Sequence, residues 1–261
     1  MPVLARSLAF AATLLIATLV ATPATAGDRY VALGDSYSSG LGTGAYTDAA
    51  CGRSSLAFPA VVARERPGTQ LAFAACSGAR TTDVLARQLA ALRPDTTIVT
   101  ITVGGNDAGF ADVLRECAKP SWLSDCAGRV RAAQAFIRDT LPGRLDALYA
   151  RIRLLAPQAL GVAVGYPRLF SGRDCNLLTW FSADDRARLN TTAELLASTI
   201  RGRARARGLA FADPIPAFTG HAVCDRDPWL NGLSTPLTES YHPNAAGQRQ
   251  GLAPLVRAAI G

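Results

Sequence analysis

Five short apolar runs, each too uniform to alternate between a wet and a dry face, restrict this chain more than any other feature. Tyr30–Leu33, Leu71–Ala74, Thr97–Val103, Leu160–Gly165 and Leu209–Ala212 read as strands buried on both faces, the pattern of a parallel sheet. Parallel neighbours need long crossovers, and helical patterns fill the gaps. These are Phe58–Arg66, Thr82–Leu92, Val130–Ala156 with a break or kink at Pro142, Ser182–Arg207 with Ser182 as N-cap before Asp184 and Asp185, and a closing helix over 244–260. The expected fold is α/β: a doubly wound three-layer sandwich around a five-stranded parallel sheet, binding ligands outside the C-terminal strand ends. No repeat, linker or composition shift interrupts it, so one domain is expected over 27–261.

Residues 1–26 read separately. Arg6, the apolar core Leu8–Val20 and the small-residue end Ala24-Thr25-Ala26 predict a secretory signal peptide and an extracellular mature chain starting at Gly27. Export makes the six cysteines, Cys51, Cys76, Cys117, Cys126, Cys175 and Cys224, read as three disulfides. No C-x-x-C pair suggests zinc or redox chemistry, and no metal is expected. Fifteen pairings are possible, of which the sequential one closes local loops and is favoured. The net charge of +7 comes almost wholly from arginine, with Lys119 the only lysine. Arg201, Arg203, Arg205 and Arg207 ring their helix and form no single face, which argues against a nucleic-acid groove. Transient contact with an anionic lipid surface is compatible with the charge, and the chain is expected to act as a monomer.

The first strand breaks at Gly34 into the small, polar loop Gly34-Asp35-Ser36-Tyr37-Ser38-Ser39-Gly40. A serine just past the end of a buried strand can present its hydroxyl to a crevice with backbone N–H groups beside it, so Ser36 is the candidate nucleophile. As a plain strand-to-helix turn the same loop would carry no chemistry. Three further strand-end or late segments complete a set of parts for acyl transfer: Gly78 in Cys76-Ser77-Gly78-Ala79, Asn106 in Gly104-Gly105-Asn106-Asp107, and His242 in Glu239-Ser240-Tyr241-His242-Pro243. Blander roles exist for each. Asn106 and Asp107 suit capping of a helix after Gly109, Asp35 suits its own loop's backbone, and His221 suits a structural loop near Cys224.

G-D-S-Y-S-S-G at Gly34–Gly40, Gly78, G-G-N-D at Gly104–Asp107 and the late His242 resemble the four blocks of the SGNH or GDSL hydrolases. The longer stretches Y-V-A-L-G-D-S-Y-S-S-G, F-A-A-C-S-G-A, T-I-T-V-G-G-N-D-A-G-F and E-S-Y-H-P are similar to the secreted actinobacterial lipases and esterases of that family. The resemblance covers nearly the whole mature chain. It implies a flavodoxin-like SGNH fold and ester hydrolysis through an acyl-enzyme, without a cofactor. Ser36 would be the nucleophile and His242 the base, and the oxyanion would be held by the Ser36 N–H, the Gly78 N–H and the Asn106 amide. Where most members carry D-x-x-H, this chain has Glu239. Two acceptors for the His242 Nδ1–H therefore stay open at this point, the Glu239 carboxylate and a backbone carbonyl such as that of Ser240.

The expected substrate is an acyl ester or lipid, with phospholipid and thioester acyl bonds within the same chemistry. A carbohydrate O-acyl esterase and a non-catalytic surface-binding module are the alternatives. Gly40-Leu41-Gly42-Thr43-Gly44 lacks the spacing of a nucleotide-binding turn. The loop aromatics Tyr46, Trp122, Phe170, Trp180 and Trp229 suit either an acyl groove or satellite core, with core favoured.

Overall fold

The computed structural model describes residues 27–261. The signal-peptide reading of 1–26 lies outside them. Five parallel strands form the sheet: β1 (Arg29–Gly34), β2 (Gln70–Phe73), β3 (Ile98–Thr102), β4 (Leu160–Val164) and β5 (Ala210–Ala212). Their order is β2-β1-β3-β4-β5, the flavodoxin-like arrangement in which the crossovers diverge between β1 and β3 and open a crevice at the C-terminal edge.

The unalternating apolar runs follow from burial on both sides. Tyr30, Val31, Ala32 and Leu33 of β1 are each 0% exposed. Tyr30 and Ala32 join Ile98, Val162 and Val164 in one core, while Val31 and Leu33 join Val99, Ile101 and Ala163 in the other. The one-turn helix α1 (Ser36–Ser39) follows β1 directly. Helices α2 (Phe58–Glu65), α3 (Phe110–Cys117), α4 (Cys126–Asp139), α5 (Leu141–Leu155), α6 (Ala183–Ala206) and α7 (Ala253–Ile260) complete the layers. Phe58 and Val62 of α2 and Val256 of α7 cover the first core; Leu145, Leu148 and Ile152 of α5 and Leu196 and Ile200 of α6 cover the second. Ser182 caps α6 through a reciprocal pair with Asp185, its Oγ accepting the Asp185 N–H at 3.1 Å.

Departures from the sequence pattern are local. The expected helix Val130–Ala156 is two helices meeting at Thr140, with Pro142 in the first turn of α5, where its missing N–H leaves no bond unmade. Thr82–Leu92 is a single α turn followed by a wider π-type turn (Val84–Gln88) and a tight turn (Leu89–Ala91). The closing helix likewise begins with a π-type turn, Gly247–Leu252. A small ribbon of Tyr46–Asp48 against Arg53–Ser54 lies in what reads from sequence as loop. Disulfides join Cys51–Cys76, Cys117–Cys126 and Cys175–Cys224, the sequential set.

Candidate active site

The turn that presents Ser36 depends on close backbone approach. Gly34 has φ of 120°, and a Cβ there would lie 2.3 Å from the Thr102 carbonyl oxygen, so only glycine lets β1 end against β3. Buried Gln88 clamps this residue on both sides: the Gly34 N–H donates to Gln88 Oε1 at 2.7 Å, and Gln88 Nε2 donates to the Gly34 carbonyl at 2.9 Å. Asp35 is the N-cap of α1, its Oδ1 accepting the Tyr37 N–H at 3.0 Å. A second buried glutamine, Gln248, donates to the Tyr37 carbonyl at 3.1 Å and accepts from the Phe58 N–H at 2.8 Å. Both glutamines sit in the π-type turns, where widened backbone aims a side chain inward.

Across from this turn, His242 Nε2 lies 2.8 Å from Ser36 Oγ, and its Nδ1 lies 3.0 Å from the Ser240 carbonyl oxygen. A carbonyl only accepts, so the proton belongs on Nδ1 and Nε2 is left to accept from the serine hydroxyl. Of the two acceptors left open by the sequence, the one at the His242 Nδ1 is the Ser240 carbonyl, and the Glu239 carboxylate is engaged elsewhere. Its Oε1 accepts from the Tyr46 hydroxyl at 2.6 Å, so the phenol of the small ribbon holds the carboxylate while a backbone carbonyl fills the orienting position. The Tyr37 hydroxyl donates to the Tyr241 carbonyl at 2.8 Å and fastens the histidine loop to α1. Desolvation of the imidazolium pushes the His242 pKa down to about 4 from 6.5, against the opposing pull of the Ser240 and Glu239 carbonyls.

Beside Ser36 stand groups with free donors. Among the described residues, neither the Ser36 nor the Gly78 backbone N–H has a protein acceptor. Gly78 has φ of 80° and open space where a side chain would be. Asn106 Nδ2 donates one hydrogen to the Ala79 carbonyl at 3.1 Å, which fixes the amide and leaves its other hydrogen for a ligand. Asp107 does not cap the next helix; it accepts from the Thr81 N–H at 2.9 Å, the Thr81 hydroxyl and Arg144, tying together the loops after β2 and β3. Tyr166 was not legible as a site residue, yet its hydroxyl accepts from the Gly105 N–H at 3.2 Å and donates to the Asp35 carboxylate. Burial pushes the Asp35 pKa up to about 7, with the Tyr166 bond working against the shift.

Ser36, Gly78, Asn106 and His242 line one groove of about 540 Å³, whose further wall includes Phe110, Leu114, Leu169, Leu178 and Leu196. His221 lies apart, stacked on Trp229 with ring centroids 3.7 Å apart. Among the described residues no cluster of three or more His, Cys, Asp or Glu side chains is placed to hold a metal ion.

Residues 32–250 match the GDSL-like lipase/acylhydrolase family. The chain belongs to this family. It is a carboxylic ester hydrolase of the three-layer SGNH type, similar to a lipase of Streptomyces rimosus with 43% identity over 92% of this chain and 90% of that one. The crystal structure of the extracellular lipase from the same organism superposes with a TM-score of 0.84 at 42% identity, covering 89% of this chain and 99% of its own. A phospholipase A1 from Streptomyces albidoflavus NA297 also superposes at 0.84, with 44% identity and coverage of 90% and 100%.

Proposed function

We propose that the chain is a secreted lipase or esterase in which Ser36 and His242 act as a catalytic dyad and the Ser240 carbonyl orients the ring. The observation that carries this reading is the 2.8 Å contact between Ser36 Oγ and His242 Nε2, set beside N–H groups without protein acceptors. His242 Nε2 takes the hydroxyl proton as Oγ attacks the ester carbonyl, and the carbonyl pair moves onto oxygen. The Ser36 N–H, the Gly78 N–H and the Asn106 amide stabilise that oxyanion. On collapse, the imidazolium returns its proton to the leaving alkoxide, which departs as alcohol. Water, deprotonated by the same nitrogen, then attacks the acyl-enzyme and releases the acid with Ser36 reprotonated.

The depressed pKa keeps the ring neutral and available near pH 7. The imidazolium formed in the reaction is stabilised by the Ser240 carbonyl and the adjacent oxyanion instead of by a carboxylate. The apolar wall of Phe110, Leu114, Leu169 and Leu196 suits a hydrocarbon acyl chain better than a short acetyl group on a sugar. Extracellular lipid esters, phospholipids among them, are therefore the proposed substrate class, and the names of the similar Streptomyces proteins support it. Residues 1–26 are proposed as the export signal. Chain-length profiling on p-nitrophenyl esters tests the reading: turnover peaking at medium or long acyl chains, abolished by a serine-directed reagent, is expected, and a peak at acetate would favour the carbohydrate esterase.

A further inference from the structure

We propose that three loops around the groove mouth form a rim that seats on a phospholipid bilayer at headgroup depth. The proposal rests on the acyl-ester reading above and adds the surface from which substrate is drawn. Nine large apolar side chains are exposed among the described residues, and six of them, Trp122, Leu123, Leu177, Leu178, Trp180 and Leu237, lie on these loops. The remainder are scattered; Leu160, for example, opens β4 at the sheet edge opposite the site.

The loops form one surface. The Trp180 N–H donates to the Ala118 carbonyl at 3.1 Å, joining the 172–180 loop to the end of α3. The Leu233 N–H donates to Asn176 Oδ1 at 2.9 Å, joining the 231–239 loop to the same segment. The Asp125 N–H donates to Glu116 Oε1 at 2.9 Å, folding the Trp122 turn back on α3. The Cys117–Cys126 bridge closes the Trp122 loop at its base, and the Cys175–Cys224 bridge ties the 172–180 loop to the segment at Cys224. The apolar side chains are thus held outward by a cross-linked frame: Trp122 is 78% exposed and Leu177 95%.

Several observations choose the occupant. Leu178 and Leu237 belong both to the groove wall and to the exterior, so an apolar path runs from outside to the catalytic serine. A protein seated there would stopper the groove, whereas a lipid surface would feed it with acyl chains. Indole rings favour the headgroup region, where the ring is buried and the N–H stays wet. Lys119, paired with Glu116, and Arg173 share these loops with Asp125, Asp174 and Glu239, so the rim carries no positive excess and its apolar side chains, not charge, favour the bilayer.

The test uses the Ser36→Ala chain with mixed phosphatidylcholine–phosphatidylglycerol vesicles, so that binding is read without hydrolysis. Expected are co-sedimentation with the vesicles, a blue shift of tryptophan emission and quenching by brominated acyl chains, with buried Trp229 contributing little. Adding Trp122→Ala and Leu177→Ala, neither of which lines the groove, should weaken partitioning by about tenfold or more. In the active chain the same pair should slow vesicle hydrolysis and leave a soluble short-chain p-nitrophenyl ester unaffected. An unquenched parent, a double variant that binds like its parent, or equal losses on both substrates would overturn the rim. A wild-type chain inert on the soluble ester would instead overturn the acyl-ester reading, whatever the vesicles show.

Discussion

The two histidines sit on neighbouring loops and are held in nearly the same way. The Trp229 N–H donates to the His221 carbonyl and the Asn231 N–H to the His242 carbonyl, both at 2.9 Å, so two residues of one segment support both loops. Each ring sets its Nδ1 against a backbone carbonyl, that of Asp227 at 2.7 Å and that of Ser240 at 3.0 Å. His221 even has a carboxylate nearby, Asp227 Oδ2 at 3.6 Å, whereas among the described residues no carboxylate pairs with the His242 ring. The difference lies on the other edge: His242 Nε2 faces the Ser36 hydroxyl in a desolvated groove, while the His221 ring lies flat on Trp229. A carbonyl on Nδ1 is therefore a scaffold device that orients a ring, and chemistry depends on what the second nitrogen meets.

The sharpest way to break this contrast is to truncate each ring. His242→Ala should lower kcat/KM by about three orders of magnitude or more, as should Ser36→Ala, with the circular dichroism spectrum retained. His221→Ala should keep turnover within about threefold, its cost appearing as stability lost with the Trp229 stack. Comparable activity losses at both histidines would dissolve the distinction. Next in size is Asn106→Ala, expected to lower kcat about a hundredfold with KM little changed, because its free N–H meets charge that develops only in the transition state. A change in KM alone would assign Asn106 to ground-state binding.

Protonation sharpens the contrast further. With the His242 pKa near 4, kcat/KM should stay level from neutral pH downward and fall about tenfold per pH unit only below that value. Stability carries the same signature. Because the folded pKa lies below the ordinary 6.5, the unfolded chain takes up this proton first as pH falls, so folding stability present above pH 6.5 is lost toward pH 4. Asp35 works oppositely: its pKa, raised from 3.8 to about 7, makes the native state bind the proton first, and stability falls as pH rises across that interval. The two slopes oppose each other in the wild type. Urea titrations of wild type and His242→Ala isolate the histidine's share, at most about 3 kcal/mol between neutral pH and pH 4. Parallel curves would mean that the ring is not desolvated.

Much of this arrangement was legible as residue types in order. Burial on both faces writes itself as unalternating strands, and a glycine forced to φ of 120° marks where β1 stops and Ser36 begins. Helix interiors were legible where the 3.6 period is regular and failed at 84–88 and 247–252, where an inserted residue widens the turn without disturbing composition. Gln88 and Gln248 escaped notice for that reason, and because their partners lie 54 and 211 residues away, a separation no local pattern encodes. The loop aromatics divide. Phe170 and Trp229 belong to the core as expected, Trp122 and Trp180 are exposed, and Tyr46 is committed to Glu239. An aromatic's composition is the same in all three settings; only tertiary contacts separate them.

The smallest expected effect belongs to that last pair, and it decides whether the His242 loop differs from the His221 loop by more than the serine. Glu239→Gln removes a negative charge while keeping an oxygen that can accept from the Tyr46 hydroxyl, so the loop's anchor survives. With the Ser240 carbonyl still fixing tautomer and ring, kcat should fall less than about tenfold. A carboxylate that supplied the ring's charge partner would cost far more, about a thousandfold or greater, as loss of a triad acid does. The pH profile gives a second readout, independent of any loosening of the loop. A carboxylate coupled to the imidazolium would hold its pKa up, and its loss would move the acid limb to lower pH. An acid limb that stays in place, with Tyr46→Phe matching Glu239→Gln, would assign Glu239 to holding the loop; a displaced limb with a thousandfold loss would restore the carboxylate as third member of the site.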